Sequence, residues 1–109
     1  MAWLLRQGEV LASLEVAATP LDRARGFAGR DHHDGALLLT PLRVPHTVGV
    51  HFAIDVAYLD ADLVVVSTCR MAPFRLGRPR RRAHAVLEVD AGAFERWHLQ
   101  AGDRLEIEA

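Results

Sequence analysis

With 109 residues, half of them hydrophobic and a quarter charged, and a formal net charge of −1, the chain can bury one core but is too short for two. The near-neutral balance excludes a global pull toward nucleic acid or a membrane surface. A single cysteine, Cys69, excludes an intrachain disulfide and a cysteine-based zinc site, and it suits a reducing compartment. All thirteen basic residues are arginine, with no lysine or asparagine, a bias that reads as GC-rich coding rather than selection for phosphate. The start, Met-Ala-Trp-Leu-Leu-Arg, has no apolar signal core, and runs such as Ala36 to Leu39 are strand-sized. A cytoplasmic chain without a membrane span is expected.

Trp3 to Arg6, a turn at Gln7-Gly8, and Val10, Ala12, Leu14 and Val16 alternating with Glu9, Ser13 and Glu15 predict a hairpin with one wet face. Thr19-Pro20-Leu21-Asp22 reads as a helix start, with threonine as cap and proline at the first position. That helix is expected over Pro20 to Ala28, ended by Gly29. Gly35 to Leu39 is a buried strand, and Asp60-Ala61-Asp62 turns Phe52 to Leu59 into Leu63 to Thr68. Arg75 to Arg82 is an exposed, mobile loop of Arg, Gly and Pro. Ala85 to Val89 is a strand, and Asp90 caps a second helix over Gly92 to Trp97. A last strand carries Leu105 and Ile107 inward. No connection suggests a parallel strand-helix-strand unit. The expected fold is mainly β: one domain over 1–109, a small barrel or sandwich with two short helices.

Chemistry concentrates between Val44 and Asp60. From Phe52 onward, Phe52, Ile54, Val56 and Tyr58 alternate with Ala53, Asp55 and Ala57, giving a bulky face and a small polar one. A carboxylate between two alanines suits a shallow concavity. His46, His51 and Asp55 offer titratable groups, but residues 51 and 55 on one strand lie roughly 13 Å apart at about 3.3 Å per residue. Asp55 is therefore expected to pair with His46, or with an arginine among Arg23, Arg25 and Arg30, in one shared cavity. The blander reading makes Asp55 a buried carboxylate that an arginine or backbone N–H groups satisfy, holding the fold.

Three segments together resemble a bacterial and archaeal family. Arg23-Ala-Arg-Gly-Phe-Ala-Gly-Arg30 is similar to its Arg-x-x-Gly-Leu-x-x-Arg pattern. His46-Thr47 with Ile54-Asp55 is similar to its His-Thr-x-x-Met-x-x-Pro-Ile-Asp block. Val86-Leu87-Glu88-Val89 with Gly92 and Gly102-Asp103 is similar to its Leu-Glu-x-x-x-Gly and terminal Gly-Asp. The family is that of domain of unknown function 192, also called uncharacterised protein family 0127. Pro73-Phe74-Arg75 resembles a Pro-aromatic-Arg element of its actinobacterial members. Val50, His51 and Ala53 depart from its usual Met, Arg or Lys, and Pro. The resemblance implies a compact β-rich domain and no established activity.

Other clusters favour plain roles. Asp31-His32-His33-Asp34 reads as a solvated loop, because adjacent histidines diverge on a strand and supply few ligands; no metal or cofactor is expected. Arg75, Arg78, Arg80, Arg81 and Arg82 have one aromatic neighbour, Phe74, and no nucleic-acid motif, so nucleic acid is not an expected partner. Cys69 reads as a small buried hydrophobe at a strand end. The expected function is a small binding module whose pocket, formed by His46, Thr47, Asp55, Arg25 and Arg30, takes a small molecule or a peptide. Its rival is a small hydrolase with His46 as base, Asp55 orienting it, and an activated water as nucleophile.

Overall fold

The computed structural model describes residues 2–30 and 34–109; the Asp31-His32-His33 part of the histidine cluster lies outside them. Seven strands form one sheet: β1 (Ala2–Arg6), β2 (Glu9–Ala17), β3 (Ala36–Leu39), β4 (Ile54–Leu59), β5 (Val65–Met71), β6 (Ala85–Asp90) and β7 (Glu106–Glu108). Their order is β5-β4-β6-β3-β2-β1-β7. Two short helices accompany them, α1 (Pro20–Arg25) and α2 (Ala93–Trp97). The mainly β domain with two helices is the architecture the alternation predicts.

The sheet curls without closing into a barrel. Its edge strands β5 and β7 do not pair with each other; the start of β5 and the residues before it meet the residues before β7: Val65 N–H donates to Asp103 O at 2.8 Å, Leu105 N–H to Leu63 O at 3.0 Å, and Val64 forms a single bridge with Arg104. Two cores result, one on each face. The inner core holds Leu4, Leu14, Leu38, Leu87, Val89, Phe94 and Leu105. The outer core holds Phe27, Leu37, Val50, Ile54, Val56, Tyr58 and Val86. Strands β3, β4 and β6 sit mid-sheet and send alternate residues into both cores. This explains why all six residues of β4 are buried; the small face of Ala57 and Asp55 is no open concavity but the interior of the curl.

Four sequence expectations need correction. β2 and β3 pair in parallel, Leu14 opposite Ala36 and Ala17 opposite Leu39, with α1 between them in the chain, so a strand-helix-strand unit is present. Helix α1 is capped as expected, the Thr19 hydroxyl accepting from Asp22 N–H at 3.1 Å, but it ends at Gly26, whose φ of 52° leaves the helical region. The wet and dry faces of β2 break: the register against β1 shifts at Leu4/Leu5, between Ala12 and Val10, which turns Val10 outward, and Val16, beyond the shift, is exposed as well. In the last strand Leu105 is buried while Ile107 is 41% exposed, since β7 is a sheet edge.

Candidate functional site

The structure separates the residues that the sequence groups together. Period-two alternation turns Asp55 to the inner face. There its Oδ2 accepts from Gly92 N–H at 2.9 Å and Phe94 N–H at 3.3 Å, and its Oδ1 from Arg70 Nε at 3.0 Å. Asp55 thus caps α2 from another strand. That is the role the sequence assigns to Asp90, whose carboxylate instead meets Arg96 at 3.3 Å. His46 lies on the outer side against α1, its Nε2–H donating to Ala24 O and its Nδ1 accepting from Val48 N–H at 3.1 Å. The two side chains occupy opposite faces of the sheet, so the shared His46–Asp55 cavity is not formed. Neither hydrogen-bonds an arginine of 23–30: Arg23 donates to Ala18 O at 2.6 Å, and Arg30 pairs with Glu15 at 2.8 Å. With both ring nitrogens engaged by backbone, His46 has no free atom to act as a base.

His46 and Thr47 do build something. Thr47 is wholly buried; its hydroxyl donates to Ala72 O at 2.7 Å and accepts from Arg75 N–H at 2.7 Å. Its backbone N–H donates to Arg75 O at 2.8 Å and its carbonyl accepts from Phe74 N–H at 2.9 Å. His46 adds a backbone bridge to Leu76, and Gly77 N–H donates to Pro45 O at 2.8 Å. The His-Thr motif therefore fastens the Pro73-Phe74-Arg75 element and the start of the arginine loop onto the outer face.

Further along, the loop is held by Tyr58, whose hydroxyl donates to Arg78 O at 2.7 Å, and by Arg80, whose guanidinium stacks 5.2 Å from the Tyr58 ring centre. Much of the segment is exposed, as expected, yet these contacts anchor it: it is a built wall rather than a free loop. Between this wall and strands β4 and β5 lies a cleft of about 480 Å³. Four arginines line it, Arg70, Arg75, Arg78 and Arg80, and no carboxylate does. Tyr58, Met71 and Cys69 contribute too. Cys69 lies within β5, half-buried, rather than at a strand end. Burial pushes its thiol pKa up, against the opposing pull of Arg80. Burial likewise raises Tyr58, so both groups are neutral near pH 7 and the arginines set the cleft's charge.

A larger cavity, about 840 Å³, opens beside Phe52, Ala53, Asp90 and Trp97, but its Asp90 and Arg96 neutralise each other. Arg25 and Arg30 line a separate small cavity with Gly26. Among the described residues no three His, Cys, Asp or Glu side chains converge on a metal position, and no helix is long and apolar enough to cross a membrane.

Sequence reasoning missed Glu88. It sits on the central strand β6, 1% exposed, facing the outer core beside Val86 by alternation. Neither carboxyl oxygen has a hydrogen-bond partner, and burial lifts its pKa to about 8. A glutamate inside the apolar run Ala85 to Val89 is the signal that marks it.

The arrangement is that of a curled β-domain with an arginine-lined cleft on its convex side. A profile of the family DUF192, uncharacterized ACR, matches residues 3–107, and the chain belongs to that family. It is similar to UPF0127 proteins of two archaea. For Pyrococcus furiosus the identity is 28% over 103 residues, covering 90% of this chain and 89% of the relative. For Pyrococcus abyssi it is 26% over 98 residues, covering 85% and 84%. Two crystal structures share the fold. One, a protein of unknown function from Novosphingobium aromaticivorans, has a TM-score of 0.81 at 18% identity, covering 96% of this chain and 82% of that one. The other, from Sinorhizobium meliloti and described provisionally as a transcription regulator, has a TM-score of 0.82 at 20% identity, covering 96% and 90%.

Proposed function

We propose that this protein is a binding module whose ligand is a small anionic molecule, held in the cleft between the 75–80 wall and strands β4 and β5. The observation that carries the reading is the cleft's lining, four arginines without a carboxylate; Arg70 is already paired with Asp55 at 3.0 Å, so Arg75, Arg78 and Arg80 supply the open positive charge, in a chain whose net charge is −1. Guanidinium groups on a concave surface suit phosphate or carboxylate groups, which they bind in pairs of parallel hydrogen bonds. The volume, about 480 Å³, fits a small molecule, and a phosphate-bearing one satisfies both charge and size. The Thr47 hydrogen bonds support the reading further, because they fix the backbone of Arg75 before any ligand arrives. A hydrolase reading finds no such support, since His46 is spent on backbone partners.

The test is thermal unfolding in inorganic pyrophosphate against sodium chloride of equal ionic strength. The wild type should gain several degrees in pyrophosphate, whereas an Arg75→Gln/Arg78→Gln variant should gain none. Equal Tm values in the two salts, or a gain that survives the double substitution, would reject the anion site.

A further inference from the structure

The net charge of −1 hides a separation of charge along the chain. Two loops, 40–53 between β3 and β4 and 72–84 between β5 and β6, hold Arg43, Arg75, Arg78, Arg80, Arg81 and Arg82 and no Asp or Glu. The other seven arginines and all fourteen acids lie elsewhere in the chain. Tertiary structure sets the two basic loops side by side: Thr47 N–H donates to Arg75 O at 2.8 Å, Gly77 N–H to Pro45 O at 2.8 Å, and Leu42 N–H to His84 O at 2.9 Å. They make one surface of a single sign. Helix α1, against which His46 packs, brings Asp22 together with Arg23 and Arg25, so it does not cancel that charge.

The same surface carries apolar side chains that neither core takes up. Val48, Phe74 and Leu76 are 59%, 53% and 75% exposed. They are neighbours: Val48 follows Thr47, whose carbonyl accepts from Phe74 N–H at 2.9 Å, and Leu76 forms a backbone bridge with His46. The Phe74 ring rests edge-on against His51 at 5.3 Å, and its φ of 58° is a conformation that asparagine or glycine adopts more readily than a bulky residue. A phenylalanine held in that conformation and left half in water adds little to the fold. Apolar tips ringed by arginines match a surface whose outer layer is anionic and whose next layer is apolar. Nucleic acid would answer the charge but not the tips, because Val48 and Leu76 cannot stack on bases.

We propose that the 40–53 and 72–84 loops dock the protein on the face of an anionic lipid bilayer, with Val48, Phe74 and Leu76 entering the head-group boundary and the surrounding arginines meeting lipid phosphates. The contact is peripheral. Arg43, Arg81 and Arg82 lie outside the cleft's lining, so docking does not rest on the small-anion reading.

The experiment is flotation of the full chain with phosphatidylglycerol vesicles, with phosphatidylcholine vesicles as control. The chain should float with the first and stay behind with the second. Raising sodium chloride from about 0.1 M to about 1 M, which shortens the screening length from about 10 Å to about 3 Å, should weaken the binding. Arg81→Gln/Arg82→Gln should raise the apparent Kd on the order of tenfold, as expected for two basic residues at an anionic surface. Val48→Ser/Phe74→Asn should raise it comparably although no charge changes; should that variant not fold, Val48→Ser alone takes its place with a smaller loss. Equal flotation with both vesicles, no flotation with either, or full binding by the apolar variant would overturn the proposal. So would binding to single-stranded DNA that needs Arg81 and Arg82 in a chain that leaves the vesicles bare, which would make the surface a nucleic-acid one.

Discussion

Two buried carboxylates in this protein behave oppositely because their surroundings differ. Asp55 meets three donors, two of them the first N–H groups of α2, which have no partner inside the helix. Asp55→Ala leaves those N–H groups buried and should cost about 2–4 kcal/mol in urea unfolding. Arg70→Ala removes only the exposed partner and should cost far less; equal losses would show that the ion pair, not the cap, holds the site. Glu88 meets no donor, and its pKa stands at about 8 against an ordinary 4.5. The unfolded chain therefore ionises this group first as pH rises. Its contribution is fully present below pH 4.5, drains between 4.5 and about 8, and is flat above. Glu88→Gln should erase that slope and make the protein the more stable of the two at pH 8, by on the order of 4 kcal/mol. Stability curves at pH 5 and pH 8 check this, and parallel curves for the two proteins would refute it.

At the level of elements, a single threonine links two loops that are far apart in sequence. Thr47 bonds both backbone groups of Arg75, so Thr47→Val, which keeps the shape and loses the hydroxyl, strands Arg75 N–H in a buried setting. A loss of about 1–3 kcal/mol is expected, with amide exchange of Phe74 and Arg75 accelerated well beyond that of β4. Unchanged protection at Arg75 would mean the loop is held elsewhere. The second fastening is Gly77 against Pro45: a Cβ at Gly77 would come within 2.6 Å of Pro45 Cγ, closer than any relaxed contact. Gly77→Ala should push the wall outward and abolish the pyrophosphate stabilisation even though every arginine remains.

For the whole molecule, stability depends on how the curl is sealed. The edge strands do not pair directly, and the seam between residues 63–65 and 102–105 rests on a few backbone hydrogen bonds and on Leu105, which is 2% exposed in the inner core. Leu105→Ala should cost about 2–5 kcal/mol and should lower the Tm in one cooperative step, because the inner core is shared by strands from both ends of the sheet. A separate early transition confined to β1, β2 and β7 would show that the seam is not part of the common core.

The sequence by itself determined the local structure. Strand alternation, the Thr19-Pro20 helix start and the Asp60-Ala61-Asp62 turn are interactions between neighbours a few residues apart, and each is legible at its own position. The family resemblance was legible for the same reason, being carried by short motifs. What only the tertiary structure decided are pairings across long separations: β2 beside β3 in parallel, Asp55 capping α2 in place of Asp90, and Thr47 bound to Arg75. Periodicity placed Asp55 and His46 within nine residues of each other but could not say that the sheet would come between them. Nor could it show that β6 lies mid-sheet, with both faces covered, which turns Glu88 from an ordinary strand glutamate into a buried acid. Burial on both faces is a property of strand order, and strand order is fixed by how the two cores pack rather than by any one segment.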